Sequence, residues 1–141
     1  MVGPRKLSLA RDEIITSFLL PARGPRAADA YLRFIPRTEM DIAVFGCGVS
    51  LSLDAGGRCT SARVALGAVA ERPILVADAA SILVGQRLEA SVLDKLAAAA
   101  SAACRPIDDK RGTREFRIKV AGVLARRVAQ TAYARAERTG A

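Results

Sequence analysis

From Ala43 to Leu53 the sequence alternates. Ala43, Phe45, Cys47, Val49, Leu51 and Leu53 hold the odd positions, while Gly46, Gly48, Ser50 and Ser52 fall between them. Side chains of a strand point alternately to opposite faces, so this run makes a strand with one apolar face and one small, polar face. The glycines let something approach that second face closely. Asp54-Ala55-Gly56-Gly57 then turns the chain, and the return carries Thr60, Ala62, Val64, Leu66 and Ala68 on one face. The spacing predicts a hairpin of 40–53 with 58–70. Its apolar face has to be covered by other elements.

Those elements follow from the same kind of reading. The run EIITSFLL, 13–20, is apolar and stopped by Pro21, which predicts a strand. PARGPRAADA is a loop, and AYLRFIPR holds one or two helical turns ended by Pro36. Helices are predicted over 77–84, opened by Asp78 and stopped by Gly85, and over 90–104, where Ser91 and Asp94 have capping-box spacing. A last helix over 113–137 takes Thr113 as N-cap. Its apolar stripe reads Phe116, Val120, Val123, Leu124 and Val128, with arginines filling the rest. Strands followed by helices define an α+β domain: a three-stranded antiparallel sheet packed against a small helical bundle on one face. The expected core is Phe45, Val49, Leu51, Val64, Leu66, Leu93, Leu96, Phe116, Val120 and Leu124.

A chain of 141 residues suits one domain, and an apolar half rich in alanine excludes disorder. The net charge of +8 sits at the ends. Residues 1–37 carry seven cations against three acids, 105–141 carry ten against four, and the middle is slightly acidic. Such ends suit nucleic acid, anionic lipid, a phosphate-bearing ligand or an acidic protein, or are simply solvated helix faces. Arg5 and Lys6 ahead of IITSFLLPA resemble a signal peptide, but Asp12 and Glu13 interrupt it, and no apolar run is long enough to span a membrane. Cys47, Cys59 and Cys104 are far apart, odd in number and without histidine. That predicts buried, reduced thiols in a cytoplasmic protein, and no metal site.

Catalytic chemistry is hard to assemble here. With no histidine, neither a Ser-His nor a Cys-His relay can be built. Asp108 and Asp109 are adjacent, so they do not face each other as an acid–base pair; they are expected to cap the last helix or to pair with Lys110, Arg111 and Arg114. Neither glycine pair sits at a strand-to-helix junction, where a phosphate would be cradled. The cations of the last helix surround it without an aromatic platform, so nucleic acid is not the expected partner. YLRFIPR stands out. Tyr31 and Phe34 offer ring surface, and Arg33 and Arg37 offer forked donors for a phosphate, a carboxylate or the edge of a conjugated ring. Equally, the rings can cover the sheet while the arginines are solvated. The residues alone leave both readings open.

AYLRFIPRTEMDIAVFGCGVSLSL, ARVALGAVA and RPIDDKRGTREFRIKVAGVLARR resemble, in order and spacing, the C-terminal domain of the FAD-binding medium subunit of molybdenum hydroxylases, the carbon monoxide dehydrogenase and xanthine dehydrogenase family. The resemblance runs from about residue 8 to 135. It implies a small antiparallel sheet with a helical bundle, packed against an N-terminal flavin domain that holds the FAD pyrophosphate. It implies a large subunit carrying the molybdenum cofactor and a small subunit carrying iron–sulfur clusters. The cation matching the family's flavin-facing position is Arg33. Asp41, Arg111, Gly112 and Arg117 match positions of structural or interfacial kind.

On this resemblance residues 1–28 are a linker and first strand, a remnant of the junction with a missing FAD-binding domain, and 29–141 are the flavoprotein C-terminal domain. The expected function is support of electron transfer from iron–sulfur clusters to FAD and an acceptor, with no catalysis by this chain alone. The competing expectation is a free-standing basic module for nucleic acid or an acidic protein.

Overall fold

The computed structural model describes residues 2–37 and 41–139. Four strands come first: β1 (Ala27–Phe34), β2 (Phe45–Leu53), β3 (Cys59–Gly67) and β4 (Ile74–Leu75). Three helices follow: α1 (Ala77–Leu83), α2 (Ala90–Ala103) and α3 (Arg114–Arg138). The strands form one antiparallel sheet in the order β1-β2-β3-β4, and the helices cover one of its faces. The fold class is the expected α+β; the sheet has four strands rather than three.

The hairpin forms in the predicted register. Phe45, Cys47, Val49, Leu51 and Leu53 are all buried toward the helices. The turn closes when Gly57 N donates to Asp54 O and Arg58 N to the Asp54 side chain, with Gly57 at a φ of 76° that favours glycine. One irregularity changes the return strand. The register shifts between Ser52 and Leu53, which pairs Leu53 with Cys59 and leaves Thr60 outside. Cys59 therefore takes the buried place expected of Thr60. Ala68, with a φ of 62°, lies past the end of β3 and is exposed. Met40, the expected start of the hairpin, lies outside the described residues; β2 begins at Phe45.

The first strand is a correction. Residues 13–20 form neither helix nor strand, and Ile14, Ile15, Phe18, Leu19 and Leu20 are all well exposed. Beside β2 lies instead the stretch read as helical turns, paired from Ala27↔Ser52 to Phe34↔Phe45. The reason is periodicity. EIITSFLL is apolar at nearly every position, whereas Ala28 and Ala30 are buried and Asp29, Tyr31 and Arg33 alternate outward. A strand at the edge of a one-sided sheet needs that alternation.

The helix ends also differ in part. Val76 and Glu89 precede α1 and α2 without side-chain caps, so Asp78 and Ser91 lie inside their helices. Thr113 caps α3 as expected, its hydroxyl accepting from Phe116 N at 3.2 Å. The buried face of α3 overlaps the predicted stripe only at Leu124 and Val128. Ala121, Ala125, Val128, Ala129, Ala132 and Ala136 are fully buried; Phe116 is 42% exposed, Val123 lies open and Val120 is only half-buried. Ranking positions by side-chain size misplaces this stripe. The helix buries its smallest residues and so comes close to the sheet and to α2. At Gly122 an added Cβ would stand 2.9 Å from Ser101 Oγ and 3.1 Å from Ala97 O.

Candidate functional site

With the helices on one face, the other face of the sheet is open. It carries Tyr31 and Arg33 from β1, Gly46, Gly48 and Ser50 from β2, and Arg63 and Ala65 from β3. Residues directly opposite in an antiparallel pair share a face, and Tyr31 opposes Gly48 while Arg33 opposes Gly46. The two glycines make room for the tyrosine. A Cβ at Gly46 would lie 2.7 Å from Tyr31 Oη, and one at Gly48 would lie 3.7 Å from the ring. The phenol therefore lies along the sheet with one ring face toward solvent, 63% exposed. Beside it, a shallow groove of about 270 Å³ runs between Tyr31 and Leu75 over Gly48, Ser50 and Ala65. Arg33 stands exposed at the end of this surface, with no ion pair among the described residues.

A polar cluster closes the same end of the sheet. The Asp41 carboxylate is 4% exposed and accepts from Ile42 N at 2.8 Å and Arg37 N at 3.2 Å, with the Arg111 and Arg37 guanidinium groups at 3.5 and 3.6 Å. Burial pushes its pKa up, but those hydrogen bonds and cations outweigh burial and hold it below the ordinary carboxylate value. Arg117, also buried, donates to Val44 O at 2.9 Å, to Ala68 O at 3.4 Å and to Asp109 Oδ1 at 2.7 Å. Asp109 is held low by the Arg111 backbone N–H and by the Arg117 side chain. Asp108 instead accepts from Arg114 N at 2.6 Å, at the first turn of α3. The adjacent aspartates thus do the capping and pairing work expected of them, with Arg117 as the partner that sequence reasoning missed. An arginine in an arginine-rich helix gives no sequence signal of burial.

Among the described residues no activated nucleophile emerges. The three thiols are free and buried. Burial pushes Cys47 up to about 12 and Cys104 up to about 11, so both stay protonated and unreactive. Among the described residues no group of three or more metal-ligating side chains occurs, and no helix is long and apolar enough to cross a membrane. The open face can bind and orient a flat, anionic or carbonyl-edged ligand. It brings Arg33 together with Tyr31, while Phe34 turns to the helix side and Arg37 joins Asp41.

Comparison with known proteins gives this surface a context. Residues 30–132 match the family described as CO dehydrogenase flavoprotein C-terminal domain. The carbon monoxide dehydrogenase medium chain of Afipia carboxidovorans is 36% identical over 125 residues, covering 89% of this chain and 43% of that protein. A putative xanthine dehydrogenase FAD-binding subunit from Escherichia coli is 29% identical over 135 residues, covering 95% and 46%. In structure the chain superposes on reconstituted CO dehydrogenase from Oligotropha carboxidovorans with a TM-score of 0.77 and 36% identity, over 82% of this chain and 40% of that one. Quinoline 2-oxidoreductase from Pseudomonas putida gives a TM-score of 0.73 at 31% identity, over 79% and 39%. The chain spans less than half the length of these relatives.

Proposed function

Because the chain belongs to the family of CO dehydrogenase flavoprotein C-terminal domains, we propose that it is the C-terminal module of the FAD-containing medium subunit of a molybdenum hydroxylase-type oxidoreductase. The observation that carries this reading is the placement of Arg33 and the solvent-facing ring of Tyr31 on one sheet face, opposite Gly46 and Gly48. A planar ring can lie against the phenol while the guanidinium donates to a carbonyl or ring nitrogen at its edge. These residues fit one side of a flavin ring. They do not fit a whole dinucleotide, because among the described residues no glycine-rich loop opens a helix to hold a pyrophosphate. The remaining FAD contacts belong to a flavin-binding domain outside these 141 residues. Such a module would support electron transfer from the iron–sulfur clusters of a small subunit through FAD to an acceptor, beside a large subunit that would carry the molybdenum cofactor and the substrate.

Residues 1–28 serve in this arrangement as the link toward the flavin domain. Their support is physical. Five large apolar side chains in 13–20 stand exposed in a segment without helix or strand, which water does not favour unless another surface covers them. The protonated, buried thiols suit a cytoplasmic setting. The test is Arg33→Ala in the assembled flavoprotein. Arg33 is exposed and has no ion pair among the described residues, so the variant should fold normally yet release flavin more readily or show a shifted flavin reduction potential. Unchanged flavin retention and potential would remove Arg33 from the site.

A further inference from the structure

The α3 stripe that the sequence marks for burial is half open because nothing in the described chain covers it. Phe116, Val120 and Val123 fall at i, i+4 and i+7 and share one helix face. Phe116 meets Phe34 of β1 with ring centroids 6.0 Å apart, and at the other end Arg135 donates to Asp29 O at 2.8 Å. α3 thus runs antiparallel along β1, which brings Leu32 beside the turn that holds Val120 and Val123. Leu32, Phe34, Phe116 and Val123 are each more than a third exposed.

This patch borders a sheet edge that Arg135 covers at the Asp29 carbonyl and that meets no strand at Tyr31 and Arg33 among the described residues. Phe34 O accepts from Val44 N, and Arg26 O accepts from Leu53 N, so even-numbered residues along β1 direct their backbone groups to β2. Odd-numbered ones direct theirs outward, as Asp29 O does toward Arg135. Among the described residues no strand pairs with that edge. Edge strands are usually blunted by shortness, a bulge or a cover. β4, at the opposite edge, has two residues; β1 has eight in unbroken register. Two cations flank the apolar stripe on the same helix face, Lys119 and Arg127, and neither has an ion pair among the described residues.

We propose that an extended segment of a second polypeptide adds to β1 as a fifth strand, its apolar side chains covering Leu32, Phe34, Phe116 and Val123 and its carboxylates meeting Lys119 and Arg127. Such strand addition takes affinity from the main chain and specificity from side chains on alternate positions. A second copy is the wrong occupant, since this edge is cationic and each chain carries +8. The surface is separate from the Tyr31–Arg33 site, which lies on the other face of the sheet, so the two readings stand or fall apart.

The experiment places the photo-crosslinking residue benzoylphenylalanine at Val123 in the full chain, made in its own organism, and sequences the adduct peptide. Lys119→Glu/Arg127→Glu is compared, and hydrogen exchange is followed in the purified complex. The expected adduct falls on one other polypeptide, in a stretch alternating apolar residues with carboxylates. It should be reduced at least tenfold by charge reversal, and the outward amides of Tyr31 and Arg33 should exchange more slowly in the complex. Adducts to a second copy or to nucleic acid, no adduct at all, adducts indifferent to charge reversal, or unprotected Tyr31 and Arg33 amides would each overturn the proposal. Lys119 and Arg127 are exposed and have no ion pair among the described residues, so loss through misfolding is checked by an unchanged melting temperature.

Discussion

Replacing Arg117 with methionine keeps an aliphatic stem of similar length and removes the guanidinium from the point where α3 meets the ends of β2 and β3. Its Nη1 bonds to Val44 O and Ala68 O, its Nη2 bond to Asp109 and its long Nε contact to Gly112 O all go. The losses are unequal. Ala68 is exposed and Asp109 is 30% open, so both acceptors rehydrate. Val44 is 0% exposed, and its carbonyl loses the charged donor with no water to replace it. An orphaned buried acceptor costs about 1–3 kcal/mol and a charge-assisted bond contributes about 1.5–3, so the expected loss is about 2–4 kcal/mol. With an unfolding entropy near 2.1 cal/mol/K per residue, that lowers the melting temperature by roughly 7–13 °C. Circular dichroism at the helix band, in heat and in urea, reads both quantities. Arg117→Lys should fall between, because one ammonium cannot reproduce a fork aimed at several acceptors. A methionine variant within about 0.5 kcal/mol of wild type, or a lysine variant as stable as wild type, would show that the cluster is not what ties α3 to the sheet.

Phe116→Ala should cost about 1–2 kcal/mol, since the ring is only partly buried, whereas Leu96→Ala at a fully buried position should cost about 2–5; a reversed order in urea melts would contradict the observed α3 face. Arg126→Ala breaks an exposed ion pair with Asp94 and should cost under about 1 kcal/mol by the same assay. Cys47 and Cys104 should resist a thiol reagent at pH 8 in the folded chain and react once it unfolds; rapid labelling of either in the native state would refute their burial. Asp41 and Asp109 titrate below the ordinary 3.8 when folded, so their stabilisation is present above that value and is lost as pH falls through their folded pKa values. Stability should therefore drop on acidification below about pH 4, and Asp41→Asn should flatten that limb; an unchanged acid limb in the variant would remove Asp41 as a cause.

The hairpin was legible because alternation and a glycine turn are local signals, and it came out in the register that they imply. α2 and α3 were legible for the same reason, down to the Thr113 cap. What misled was apolarity without alternation. Residues 13–20 have strand composition but nothing in the described chain to pair with, while β1 hides its period behind alanines at 27, 28 and 30. On α3 the large residues drew the stripe, yet alanines and Gly122 face inward, a choice set by how closely the helix approaches its neighbours. The site was half legible. Glycines at 46 and 48 announce a close approach, but that Tyr31 supplies it depends on β1 pairing with β2, whereas the residues of AYLRFIPR taken alone suit helical turns. The burial of Arg117 depends on carbonyls that are distant in sequence.

The most direct test of the central claim, that this chain supplies one wall of a flavin site completed elsewhere, is an FAD titration. Residues 1–141, purified alone, are titrated with FAD by equilibrium dialysis, then again with a flavin-binding domain from the same enzyme supplied as a separate polypeptide. The expected result is a colourless chain that binds FAD weakly or not at all, and a yellow complex with one FAD per pair once the second domain is present, because the pyrophosphate lacks its backbone donors without it. Tight, stoichiometric FAD binding by residues 1–141 alone would contradict it.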